Sequence, residues 1–167
     1  MKEKHTIIVT VVNKVGVLAR ISGLLAQRGF NIESIIGAHT EDPEIYKVTL
    51  VLKESDRAIE QVTKQLNKLV DTIKVTDISH KDNYIVREYI IIKVKVNQNT
   101  RSDIIELLNV FKAKLLDISQ THIITELSAN VRKIDRFIDL MKPYGVSNYV
   151  RSGEFAMTEF NKKIKNI

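Results

Sequence analysis

Two short polar segments flank one apolar run near the start of the chain: Asn13-Lys14-Val15-Gly16-Val17-Leu18 and Arg28-Gly29-Phe30-Asn31-Ile32-Glu33-Ser34. A helix entered through a glycine turn presents several unpaired backbone N–H groups and a partial positive charge, which suits a small carboxylate. Gly16, lacking Cβ, lets a ligand approach the backbone, and Val17 and Leu18 supply N–H groups at the helix start. Asn13 and Asn31 add side-chain amides, each able to accept from an ammonium or donate to a carboxylate without burying an unmatched charge. Val15, Val17, Leu18 and Ile32 are apolar and suit a branched side chain, each buried CH₂ contributing about 0.8 kcal/mol. Singly, these residues have plainer roles, Asn13 as a turn or cap residue and Asn31 as one tolerant of positive φ. Their joint position at the two ends of one helix reads as a small-molecule sensor.

Other chemistries find little support. The four histidines, His5, His39, His80 and His122, show no i, i+4 pair and spread over both halves, so no metal site is expected. The chain contains no cysteine, which removes disulfides, thiolate ligands and a cysteine nucleophile. No G-x-S-x-G elbow, G-x-G-x-x-G loop or Walker sequence occurs, and no catalytic residue is assigned.

The elements that position these residues follow from hydrophobic period. His5 to Val12 is β-branched and reads as a strand; Val17, Ile21, Leu24 and Leu25 share one face of a helix that Gly29 ends. Ile32 to His39 and Ile45 to Leu52 read as a hairpin turned by Thr40-Glu41-Asp42-Pro43. A helix capped at Ser55-Asp56 places Ile59, Val62, Leu66 and Leu69 inward, and Ile73 to Ile78 closes a β-α-β-β-α-β unit. After the spacer Ser79-His80-Lys81-Asp82-Asn83 the order returns, an internal structural repeat. Arg87 to Val96 is a strand. Thr100-x-x-Asp103 matches a capping box before a helix with Ile104, Leu107, Leu108, Phe111 and Leu115 on one face. Leu116 to Ser119 and Ile123 to Ala129 are strands, Asn130 caps a helix burying Ile134, Phe137, Ile138 and Met141, Pro143 stops it, and Val146 to Arg151 is the last strand. The expected fold is α+β: two tandem ferredoxin-like (βαββαβ) domains with antiparallel sheets, over residues 1–80 and 81–167. Each half has a thin core and one sheet face that needs cover, so pairing between halves or chains is expected.

At 167 residues and 44% hydrophobic content the chain is an ordinary globular protein. The N-terminal apolar stretch is too short for a signal peptide, and no segment approaches the roughly 20 apolar residues of a membrane span, so a cytoplasmic protein without membrane partners is expected. The net charge of +6 lies mostly in the second half, with 12 basic against 11 acidic residues up to position 83 and 14 against 9 beyond it. Part of the excess is Lys162, Lys163 and Lys165, read as a solvated tail.

The runs Thr6 through Leu18 with Asn13 and Gly16, Gln27 through Ser34, Glu41-Asp42-Pro43, and Gln65 through Asp71 resemble the small regulatory subunits of acetolactate synthase. The first domain is similar to an ACT domain, an amino-acid-sensing module. In the second half the recognisable pieces are Val86-Arg87-Glu88 and Val150-Arg151-Ser152-Gly153. The resemblance implies a homodimer through paired ACT domains with an effector at their interface. Asn13, Val15, Gly16, Val17 and Leu18 of one protomer and Asn31 and Ile32 of its partner would hold it. It implies valine as effector, with leucine or isoleucine as variants, and feedback inhibition in branched-chain amino-acid and isoleucine biosynthesis. It also implies that no cofactor belongs to this chain, and that catalysis rests on a large subunit carrying thiamine diphosphate, Mg and FAD.

Two other functional classes suit a chain of this kind less well. A basic ferredoxin-like fold can bind RNA, but such domains stack bases on central-strand aromatics, and here only Tyr46 is present in those strands, so no nucleic-acid partner is expected. The other is a stand-alone ACT-type amino-acid sensor acting on another enzyme or regulator. The two-domain length and Arg151-Ser152-Gly153 argue against it.

Overall fold

The computed structural model describes residues 2–80 and 83–159; Lys81 and Asp82 of the spacer and the basic tail at Lys162, Lys163 and Lys165 lie outside the described residues. The element order is β1 (Glu3–Val12), α1 (Val17–Gln27), β2 (Ile32–His39), β3 (Ile45–Glu54), α2 (Asp56–Leu66) and β4 (Thr72–Asp77). It then repeats as β5 (Tyr84–Lys95), α3 (Arg101–Phe111), β6 (Lys114–Ile118), β7 (His122–Ala129), α4 (Val131–Met141) and β8 (Val146–Thr158), with a 3₁₀ turn Lys142–Tyr144 before β8. Two four-stranded sheets result, ordered β2-β3-β1-β4 and β6-β7-β5-β8. This is the expected pair of ferredoxin-like folds.

In the first sheet β1 pairs antiparallel with β3 in the register Ile7↔Leu50, Val9↔Val48 and Val11↔Tyr46. Alternate residues therefore point to one face, where Val17, Ile21 and Leu25 of α1 and Ile59, Val62 and Leu66 of α2 close the core. Each of these buried aliphatic side chains contributes about 1.5–3 kcal/mol by leaving water. The second sheet repeats the scheme with Ile90↔Leu127 and Val94↔Ile123. Its core includes Ile104, Leu108, Phe111, Ile134, Phe137 and Met141, with the Phe111 and Phe137 rings 5.1 Å apart.

The described residues of Met1–Ile85 and Glu154–Ile167 form one compact unit, and Val86–Gly153 form the second. This differs from a division at residue 80. β8 is 13 residues long and passes well beyond the expected end at Arg151. Its last residues belong to the first unit because Glu154, 6% exposed, accepts hydrogen bonds from Thr6 Oγ1 at 2.8 Å and from Lys4 Nζ. Ala156, Met157 and Thr158, with Tyr84, line a cavity with Ile8 and Thr10 on the sheet face that α1 and α2 leave uncovered. With Glu154 and the end of β8 over that face, β1 is buried on both faces from His5 to Val9 instead of alternating.

Local corrections concern the second unit. Leu115 does not continue the α3 face; the helix ends at Phe111 through Lys112, at φ 57°, and Leu115 stands half-exposed in β6. The Thr100 capping box does not form. Asn97 instead turns the chain, its Oδ1 accepting from the N–H groups of Asn99 at 2.9 Å and Thr100 at 3.0 Å. The Asn130 cap forms as expected, its Oδ1 accepting from Lys133 N–H at 2.9 Å.

Candidate effector site

Gly16 is the hinge of the site. It adopts φ 83°, ψ 0°, the left-handed conformation that costs glycine nothing. A Cβ built there would stand 3.3 Å from the Arg20 guanidinium. The helical ladder of α1 begins with Arg20 N–H donating to Gly16 C=O at 2.9 Å, and Val17 N–H donates back to Lys14 C=O at 3.2 Å. Leu18 and Ala19 are thus the first-turn residues whose N–H groups have no backbone acceptor. The sequence reading of Val17 as a donor and pocket residue is corrected in this respect: its N–H is engaged and its side chain, 5% exposed, belongs to the core.

Asn13 lies in the exposed turn before α1, held at two points to the β2–β3 connection. Its backbone N–H donates to Glu44 C=O at 2.7 Å and its Nδ2 to Pro43 C=O at 2.9 Å. With Nδ2 occupied, Oδ1 is the free end, an acceptor suited to an ammonium. Val15 is fully exposed and Leu18 is 39% exposed, two apolar side chains beside the free N–H groups.

Two cations flank the turn. Arg20 pairs with Asp71, which is 6% exposed, and Lys14 Nζ lies 4.0 Å from the same carboxylate. Lys14 and Arg20 thus share the Asp71 carboxylate, while the loop tied to Asn13 carries Glu41, Asp42 and Glu44. Arg20 also lines a groove of about 520 Å³ with Gly16, Ala19, Gly23 and Leu69. Sequence reasoning missed Arg20, whose i+4 spacing from Gly16 was the available signal.

Asn31 and Ile32 stand at the other end of α1. Asn31 is exposed just before β2, and Ile32 is half-buried against the core. The 11 residues of α1 span roughly 16 Å. One chain therefore does not bring Asn13 and Asn31 onto the same small molecule. β2 is, however, an edge strand with its outer backbone groups unpaired within the sheet.

The comparisons with known proteins agree with this architecture. Residues 7–74 match the model of the AHAS small subunit-like ACT domain, and residues 87–159 match the model described as small subunit of acetolactate synthase. A probable acetolactate synthase small subunit of Archaeoglobus fulgidus is 44% identical over 160 residues, covering 96% of this chain and 99% of that protein. The acetolactate synthase small subunit of Bacillus subtilis is 41% identical over 92% of this chain and 89% of its own length. The crystal structure of the acetolactate synthase small subunit from Thermotoga maritima superposes with a TM-score of 0.86 at 34% identity, covering 95% of this chain and 99% of that one. The chain belongs to the acetolactate synthase small-subunit family.

Proposed function

We propose that this chain activates a catalytic large subunit of acetolactate synthase and makes it sensitive to valine, bound between the ACT domains of two copies. The carrying observation is the tie of Asn13 to Pro43, which sets the Gly16 turn beside the His39 end of β2. Two β2 edges paired antiparallel about a two-fold axis bring the Asn31 end of one strand to the His39 end of the other. Asn31 and Ile32 of one protomer then lie beside Asn13, Gly16 and Leu18 of its partner. A valine carboxylate meets the Leu18 and Ala19 N–H groups, its ammonium meets the asparagine oxygens, and its isopropyl group meets Val15, Leu18 and Ile32.

Valine then tightens the pair, and the altered pairing passes to the large subunit, whose thiamine diphosphate, Mg and FAD carry out the chemistry. Binding and inhibition are linked reciprocally. Micromolar to millimolar affinity supplies about 4–8 kcal/mol, ample for a coupling of about 1–3 kcal/mol. The test is reconstitution with a large subunit. Gly16→Asp sets a carboxylate against that of the ligand, so the variant is expected to activate while losing valine inhibition. Inhibition retained in that variant contradicts the site, and failure of the unmodified chain to activate contradicts the function.

A further inference from the structure

His5, on the second strand position after Glu3, is 1% exposed, yet neither of its ring nitrogens makes a hydrogen bond. Both face carboxylates. Nδ1 lies 3.4 Å from Asp77 Oδ2 at the end of β4, and Nε2 lies 3.4 Å from Asp56 Oδ1 in the first turn of α2. A neutral imidazole has one N–H to offer two carboxylates, so one nitrogen presents a lone pair to an acceptor. His80, in the turn after β4, brings its Nε2 to 4.0 Å from the same Asp56 oxygen, and its ring stands edge-on to His5 at 5.7 Å. One donor atom each from His5, Asp56 and His80 falls within 4.8 Å of the others.

We infer that His5, Asp56 and His80 form a binding site for a divalent transition-metal ion, with zinc the best match. Two imidazoles and one carboxylate are a zinc donor set, leaving a fourth position for water. Tetrahedral bonds of about 2.0–2.1 Å place donor atoms about 3.3–3.4 Å apart. His5 Nε2 and Asp56 Oδ1 already stand at that separation. The longer gap closes by moving His80, whose side chain is 68% exposed and free to turn.

The surroundings are arranged as a metal site needs. A ligating histidine gives its other N–H to a carboxylate that fixes tautomer and ring orientation. Asp77 is placed for that role, and it is itself held, accepting from Ser79 N–H at 3.0 Å and from the Ser79 hydroxyl, which in turn accepts from Thr6 N–H at 2.9 Å. A bound cation satisfies the orphaned nitrogen of His5 and ties β1, α2 and the end of β4 together. The sequence concealed the site because its ligands lie at positions 5, 56 and 80, without local spacing.

The experiment is titration of the full, untagged chain with zinc chloride, followed by calorimetry and by the visible spectrum of cobalt substituted for zinc. One saturable zinc per chain is expected, with a tetrahedral cobalt spectrum and a higher melting temperature in zinc. His80→Ala and Asp56→Ala, both at exposed side chains, should fold normally and bind at least tenfold more weakly; Asp77→Asn should weaken binding 10- to 100-fold. His122→Ala in the second unit should change nothing. No saturable binding by the unmodified chain, or unchanged affinity in His80→Ala, overturns the site.

Discussion

Asn13 Nδ2 donates to the carbonyl of Pro43 at 2.9 Å across 30 residues of sequence, tying the turn before α1 to the hairpin that follows β2. This bond occupies the amide nitrogen of Asn13, an exposed residue, and ties the turn that leads into Gly16 to the loop following β2. Asn13→Ala removes both the tie and the acceptor. Valine affinity should fall by about 10- to 100-fold, the equivalent of one or two hydrogen bonds to a charged group, as read by calorimetry. An unchanged dissociation constant removes Asn13 from the site.

Gly16→Ala separates backbone from ligand effects. At φ 83° an alanine is strained by about 1–2 kcal/mol, and its Cβ presses on Arg20 at 3.3 Å. The expected consequence is a melting temperature lower by roughly 2–8 °C, seen by scanning calorimetry. Equal or greater stability would contradict the left-handed turn.

Arg151 grips two carboxylates of the second unit. Its Nε donates to Glu88 Oε1 at 2.8 Å and its NH2 to Glu88 Oε2 at 2.6 Å, while NH1 reaches Asp135 at 2.8 Å. Glu88 is 3% exposed, and the paired carboxylates hold the guanidinium in its charged form even more firmly than usual. Arg151→Met leaves a buried carboxylate without its partner and should cost about 3–5 kcal/mol in urea unfolding. Asp135→Ala removes only the exposed arm and should cost under about 1 kcal/mol. Similar losses from the two variants would contradict the division.

Helix caps in this chain are unequal although their residue types are alike. Asn130→Ala breaks an observed cap and should cost about 1 kcal/mol, as should Asn97→Ala, whose oxygen takes two backbone N–H groups. Ser55 makes no side-chain cap, so Ser55→Ala should change stability by a few tenths at most. Denaturant midpoints of the three variants rank the effects.

Much of the fold was legible because the unbroken β-branched run Thr6–Val12 and the 3.6-residue period in Ile134–Met141 are local patterns. The length of β8 was not. Glu154 and Met157 are polar or isolated in sequence, and their place is set by Thr6, Lys4 and Ile8, some 150 residues away. Thr100 misled for a local reason: Asn97, three residues earlier, takes the Thr100 N–H that Asp103 would have accepted in a capping box, and its own N–H donates to the Thr100 hydroxyl. Near the candidate site, the turn at Gly16 was readable from residue type. The Pro43 tie, the Asp71–Arg20 pair and the engagement of the Val17 N–H depend on how β1, α1 and the β2–β3 turn converge.

The most direct test of a site shared between two copies is complementation. Gly16→Asp and Asn31→Ala each spoil a different half, so either variant alone should bind little valine at concentrations just above the dissociation constant of the unmodified chain. Unfolded or dissociated together and reassembled in equal amounts, half the dimers are mixed, and each mixed dimer keeps one of its two sites intact. Calorimetric titration of the mixture should recover about a quarter of the valine sites at near-normal affinity. No recovery, with both variants folded and dimeric, would show that Asn13, Gly16 and Asn31 do not meet across two chains.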